Sequence, residues 1–144
     1  MDYGTTSAAM HGKLLRAKDF EKFLKDNKDG LLTQTLSEHL MTLLRQKGLK
    51  RADVVRDSGL EKSYVFQIFH GERRPSRDKL IAIAFGLHLT VEETQRMLKL
   101  GGCSELYARM ERDAAILFAL QNGMTICEAD DLLDDYNLPT VLAP

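Results

Sequence analysis

Arg51-Ala52-Asp53-Val54-Val55-Arg56-Asp57-Ser58-Gly59-Leu60-Glu61-Lys62-Ser63-Tyr64-Val65-Phe66-Gln67-Ile68-Phe69-His70-Gly71 is the stretch whose reading decides the fold. Apolar residues recur at helical spacing on either side of Ser58-Gly59-Leu60, so the spacing predicts two short helices, about 51–57 and 61–70. Gly59 allows the turn a backbone conformation that side chains resist. The first helix carries Ala52, Val54 and Val55, the second turns Val65 and Ile68 inward, and the pair forms a helix-turn-helix unit whose axes cross at about 90 to 120°. Lys62, Ser63, Tyr64, Phe66 and Gln67 are left on the outward faces of the second helix.

Working outward, Thr35 and Glu38 form a capping box that opens a helix running to about Lys47, with Leu36, Leu40, Leu43 and Leu44 on its apolar face. Gly48 supplies its left-handed stop. Pro75 breaks the chain after Gly71, and Ser76 opens a helix with the apolar run Leu80, Ile81, Ile83, Ala84, Phe85 and Leu87. From Leu80 onward the chain repeats itself. A shift of 35 residues places Ile81 on Ile116, Ala84 on Ala119, Thr90 on Thr125, Glu93 on Glu128 and Leu98 on Leu133. Each copy reads as apolar helix, turn, Thr-x-x-Glu box and second helix, so two helical hairpins are expected to pack together. At the other end, residues 1–12 read as a flexible tail and Lys13–Asp26 as one short amphipathic helix. Asp26-Asn27-Lys28-Asp29-Gly30 has calcium-loop composition but lacks the end ligands, and is read as a helix stop.

The chain of 144 residues carries 20 Lys and Arg against 21 Asp and Glu, a formal charge of −1. Resolved by segment, that total is a cancellation. Arg45–Lys79 holds ten basic and five acidic residues, a net of +5, while 103–144 holds two basic and eight acidic, a net of −6. Charge is sorted along the chain, so the near-neutral total excludes no nucleic-acid partner. No apolar stretch approaches the ~20 residues that span a bilayer, and a cytoplasmic location is expected. Cys103 and Cys127 form no CxxC pair and are expected to be buried small hydrophobes. His11, His39, His70 and His88 are scattered, with no ligand or nucleophile spacing. No catalysis, cofactor or metal is expected. His70 reads as a cation facing a helix dipole, and Glu128, Asp130, Asp131, Asp134 and Asp135 as a solvated acidic face.

The run Arg51 to Leu60, then Val65, Ile68, Gly71, Arg73-Arg74-Pro75-Ser76, Leu80 and Ala84, resembles the five-helix DNA-binding domain of the Cro and lambda-type repressor (XRE) family over about residues 36–100. The resemblance implies a five-helix domain at 35–102, while periodicity and charge alone give the all-α class, a tail and short helix at 1–34, and an acidic helical-hairpin annex at 103–144. The resemblance also implies that 61–70 is a recognition helix lying in the major groove of double-stranded DNA. There Gln67 would pair with adenine, Lys62 with guanine or a phosphate, and Phe66 with a thymine methyl. Ser63 and Tyr64 would bond phosphates, Arg51 would grip one beside the helix start, and Arg73 and Arg74 would clamp the backbone.

This sequence departs from the family pattern at Glu61, Phe66 and Phe69. The aromatics stand for packing, for a base contact, or for a surface that binds another protein. Beside a weaker reading as an enzyme regulator with no DNA role, two functions therefore stand open. One is a sequence-specific transcriptional regulator, a homodimer on an operator, with the annex as dimer or partner contact. The other is an antitoxin-like or adaptor module that uses Phe66, Phe69 and the acidic annex.

Overall fold

The computed structural model describes residues 7–26 and 35–142, and is all-helical throughout them. The chain divides into two compact units, 1–33 and 34–144. In the first, α1 (Ser7–Arg16) and α2 (Phe20–Asp26) replace the single helix expected over 13–26, and α1 begins inside the segment expected to be a tail. The break lies at Asp19, whose Oδ1 accepts the amide protons of Glu21 at 3.0 Å and Lys22 at 3.4 Å. That carboxylate satisfies the free first-turn donors of α2 and so favours a new helix start there. The Asp26–Gly30 helix stop lies, from residue 27 on, outside the described residues.

The second unit holds α3 (Leu36–Gln46), α4 (Arg51–Ser58), α5 (Lys62–Phe69), α6 (Arg77–Gly86), α7 (Val91–Leu100), α8 (Glu111–Gln121) and α9 (Ile126–Asp135). Local chemistry sets their starts. Thr35, Thr90 and Thr125 each accept the amide of a Glu three residues on, and the Glu side chain returns to the threonine amide. Ser76 caps α6 through the Lys79 amide. Between α4 and α5, Gly59 has φ +73°, and Ser58 Oγ accepts the Leu60 amide at 3.2 Å.

Helix α6 is the centre of the unit, buried from Leu80 to Gly86. A helix apolar all round must be covered on every side, and α6 packs against α4, α7 and α9. Its approach to α4 depends on Gly86, where an added Cβ would lie 2.9 Å from both the Val54 carbonyl oxygen and Ser58 Cβ. Val54, Val65 and Ile68 seal the inner side of α4 and α5, each no more than 1% exposed.

The internal repeat is geometric as well as sequential, and wider than the sequence spacing alone indicated. His88 and Gly123 are both left-handed, with φ +54° and +65°, and are followed by the matching bonds Leu89 N–H to Ala84 O and Met124 N–H to Ala119 O. Gly102 and Asn137, at +73° and +58°, end α7 and α9 in the same way. The segment after each hairpin is then tied back identically. Leu106 N–H donates to Gln95 Oε1 at 2.7 Å, and Val141 N–H donates to Asp130 Oδ1 at 2.7 Å. Every one of these pairs is 35 positions apart.

The two copies also exchange partners. Arg77 donates to the Asp113 carboxylate at 2.8 and 3.1 Å, and Arg112 donates to that of Asp78 at 3.0 and 3.1 Å. Each arginine additionally binds two carbonyls of its own copy, Ser104 and Glu105 for Arg77, Pro139 and Thr140 for Arg112. Helix α6 packs on α9 and α7 on α8. Such reciprocity, residue by residue and helix by helix, is the pattern of a two-fold interface. Burial would by itself raise the Asp113 carboxyl, but hydrogen bonds from Arg77 and the Tyr107 amide hold it below the usual range. The annex is thus packed on the rest of its unit, and Leu142 lies against Gly59 in the α4–α5 turn.

Candidate nucleic-acid interface

Helix α5 is anchored by Val65, Ile68 and Phe69 and presents the remaining residues outward. At 3.6 residues per turn, Lys62 and Phe66 share one margin of the outward arc, Tyr64 stands at the other, and Ser63 and Gln67 fall between them. Each margin is an aromatic ring carrying two cations. The Arg51 guanidinium lies 5.0 Å and Lys62 Nζ 5.5 Å from the Phe66 centroid. Across the arc, the Arg73 guanidinium lies 5.1 Å and Lys79 Nζ 5.6 Å from the Tyr64 centroid. Attraction to the ring face offsets part of the repulsion between paired cations and holds both side chains over one spot.

Carboxylates sort the basic residues further. Arg56 pairs with Asp53 and Asp57, Lys47 with Glu93, and Arg77 with Asp113. Hydrogen bonds from Arg56 and then His88 hold Asp57 at about 2, so the Arg56 charge is taken up within the protein. Among the described residues, none of the four cations stacked on Phe66 and Tyr64 has a carboxylate partner. All four therefore present their charge beside the outward arc of α5.

Arg51, Lys62, Tyr64, Phe66, Gln67 and Arg73 come together, with Ser63 exposed in their midst. Arg73 Nε donates to Gln67 Oε1 at 2.8 Å. Arg74 stands apart, beside Gly102 at the edge of a shallow groove lined by α3 and the α5–α6 connection. Phe69 is 3% exposed and shares a groove with Met41, Thr42 and Arg45 of α3, so it is core. Phe66 is half-buried, with its ring occupied by cations.

Three expectations change. His70 bonds Arg51 Nη1 at 2.8 Å through Nε2, which accepts because a guanidinium only donates, so it faces a side-chain cation as well as the helix end. Cys103 is only half-buried and Cys127 is exposed, since Cys127 follows the buried Ile126 around α9 and turns outward. Asp130 is a structural acceptor for the chain end rather than part of a solvated face. Sequence reasoning missed Lys79 and gave His70 no part in the site. The Lys62–Phe66 stack has a local signal in its i,i+4 spacing, whereas Lys79 reaches Tyr64 only through the path of the α5–α6 connection.

No helix among the described residues is long and apolar enough to cross a membrane. No family model matches this chain, and no curated protein or solved structure matches it either.

Proposed function

We propose that the protein is a sequence-specific DNA-binding transcriptional regulator, with α3 to α7 as a five-helix repressor-like domain and α5 as its recognition helix. The observation that carries this reading is the pair of cation-bearing rings on the two margins of α5. A helix of about 10 to 12 Å diameter fits the major groove, which is about 12 Å wide, and meets a phosphate strand on either side. Arg51 with Lys62, and Arg73 with Lys79, stand where those strands run. Ser63 and Gln67 stand where base edges run. Phosphate contacts from the margins set register, and the central residues supply sequence preference.

One such helix reads only a few base pairs, so the DNA-bound form is taken as a two-fold dimer on paired half-sites. The faces that the two hairpins turn to each other are filled within the chain. The outer face of α8, where Phe118 is 56% exposed although its counterpart Ile83 is fully buried, remains for contact with a second copy or another protein. Phe118 and the exposed Tyr136 favour the antitoxin-like or adaptor reading only at the annex. Phe66 and Phe69 offer no bare apolar surface to such a partner.

Electrophoretic retardation of promoter-length duplex fragments across a salt series tests the proposal. Retardation is expected at low salt, with log affinity falling linearly against log salt concentration. Absence of any retardation at about 50 mM salt contradicts it.

A further inference from the structure

We infer that Gln67 reads guanine rather than adenine, because Arg73 holds its amide oxygen on the guanidinium. The inference rests on the DNA-binding reading above and specifies which base that surface selects.

An Arg Nε–H can only donate, so its partner at 2.8 Å is the amide oxygen of Gln67 and not the nitrogen. The flip of the amide is therefore set by chemistry rather than by choice. Arg73 is itself held, with its guanidinium 5.1 Å from the Tyr64 ring centroid. A Gln reads adenine in the major groove by accepting from N6–H with its oxygen while donating to N7 with its nitrogen. Here the oxygen already takes a charge-assisted bond, and a positive group sits where the adenine amine would approach. What Arg73 leaves unengaged is the amide NH2, which only donates.

Guanine presents N7 and O6, two acceptors and no donor, in the major groove. The nearby groups reinforce that match. Lys62 and the rest of the Arg73 guanidinium also only donate, and Ser63 can do either. The Gln67 amide at the centre thus donates between cationic margins, an arrangement complementary to the acceptor edge of guanine and opposed to the N6 amine.

The test selects bound sequences from a randomised duplex pool with the full chain, at low salt so that variants lacking a phosphate contact still bind. The wild-type protein is expected to enrich a guanine, by about tenfold over adenine, at a position whose preference disappears in Gln67→Ala. Arg73→Ala frees the amide oxygen and is expected to shift that position toward adenine. Gln67→Glu keeps the Arg73 pair but has no N–H, and is expected to replace guanine by cytosine, whose N4 donates. Adenine at the Gln67-dependent position of the wild type, or a guanine preference unmoved by Arg73→Ala or by Gln67→Glu, overturns the inference while leaving DNA binding intact. A pool from which nothing is enriched overturns the DNA-binding reading itself, and this inference with it.

Discussion

Replacing Arg51, Lys62, Arg73 and Lys79 by alanine together is expected to flatten the salt dependence of DNA binding by 3 to 4 units of slope, at about 0.9 per phosphate contact. At roughly 1 kcal/mol for each lost contact, affinity at a given salt falls about a thousandfold. The effect is large because these four cations, stacked on Phe66 and Tyr64, carry the charge on both margins of α5. The fold should persist, since Val65, Ile68 and Phe69 hold α5 from the inside. Arg56→Ala is the informative control. Its charge is committed to Asp53 and Asp57, so its slope should match the wild type. A quadruple variant with unchanged slope, or an Arg56→Ala slope as shallow as the quadruple, would place the DNA on some other surface.

The second large effect concerns the exchanged ion pairs between the repeats. Asp113→Asn is expected to cost about 3 kcal/mol, because it strands the Arg77 guanidinium against a nearly buried partner position. Asp78→Asn is expected to cost under about 1 kcal/mol, although it breaks the symmetry-equivalent pair. Exposure separates the two. The Asp113 side chain is 11% exposed and that of Asp78 42%, so water replaces the lost partner in one case and not the other. For a unit of this size the first change lowers the melting temperature by about 10 °C, read by thermal unfolding of the two variants beside the wild type. Equal losses would show that burial does not distinguish the copies.

The features legible in the sequence were those set by neighbours in the chain. Thr35 with Glu38, Thr90 with Glu93 and Thr125 with Glu128 placed three helix starts, because a capping box is complete within four residues. Gly59 and Gly71 marked the ends of α4 and α5 for the same reason, and both are left-handed. The inward residues of α5 followed from periodicity, except that Phe69 needed α3 to lie over it before it could be assigned to the core.

What stayed hidden was pairing across space. The dipeptide Arg-Asp recurs at 77–78 and 112–113, at the repeat distance, yet nothing in its spacing says that the copies bond each other rather than themselves. The same holds for the candidate interface. Composition located the charge in 45–79, but only the folded chain separates Arg56 and Arg77, neutralised by carboxylates, from Arg51, Lys62, Arg73 and Lys79 on their rings. Gln67 is the sharpest example. Its type fitted adenine, and its hydrogen bond to Arg73 changes which base it fits.

In the proposed complex, duplex DNA lies on the outward arc of α5. Amide NMR spectra of the full chain, recorded as an enriched duplex is added, test it most directly. Resonances of residues 61–67 and 71–79, including the Gln67 side-chain NH2, are expected to shift together, while those of the outer faces of the acidic helices α8 and α9 stay in place. Shifts confined to α8 and α9, or no shift in α5 at saturating duplex, would contradict it.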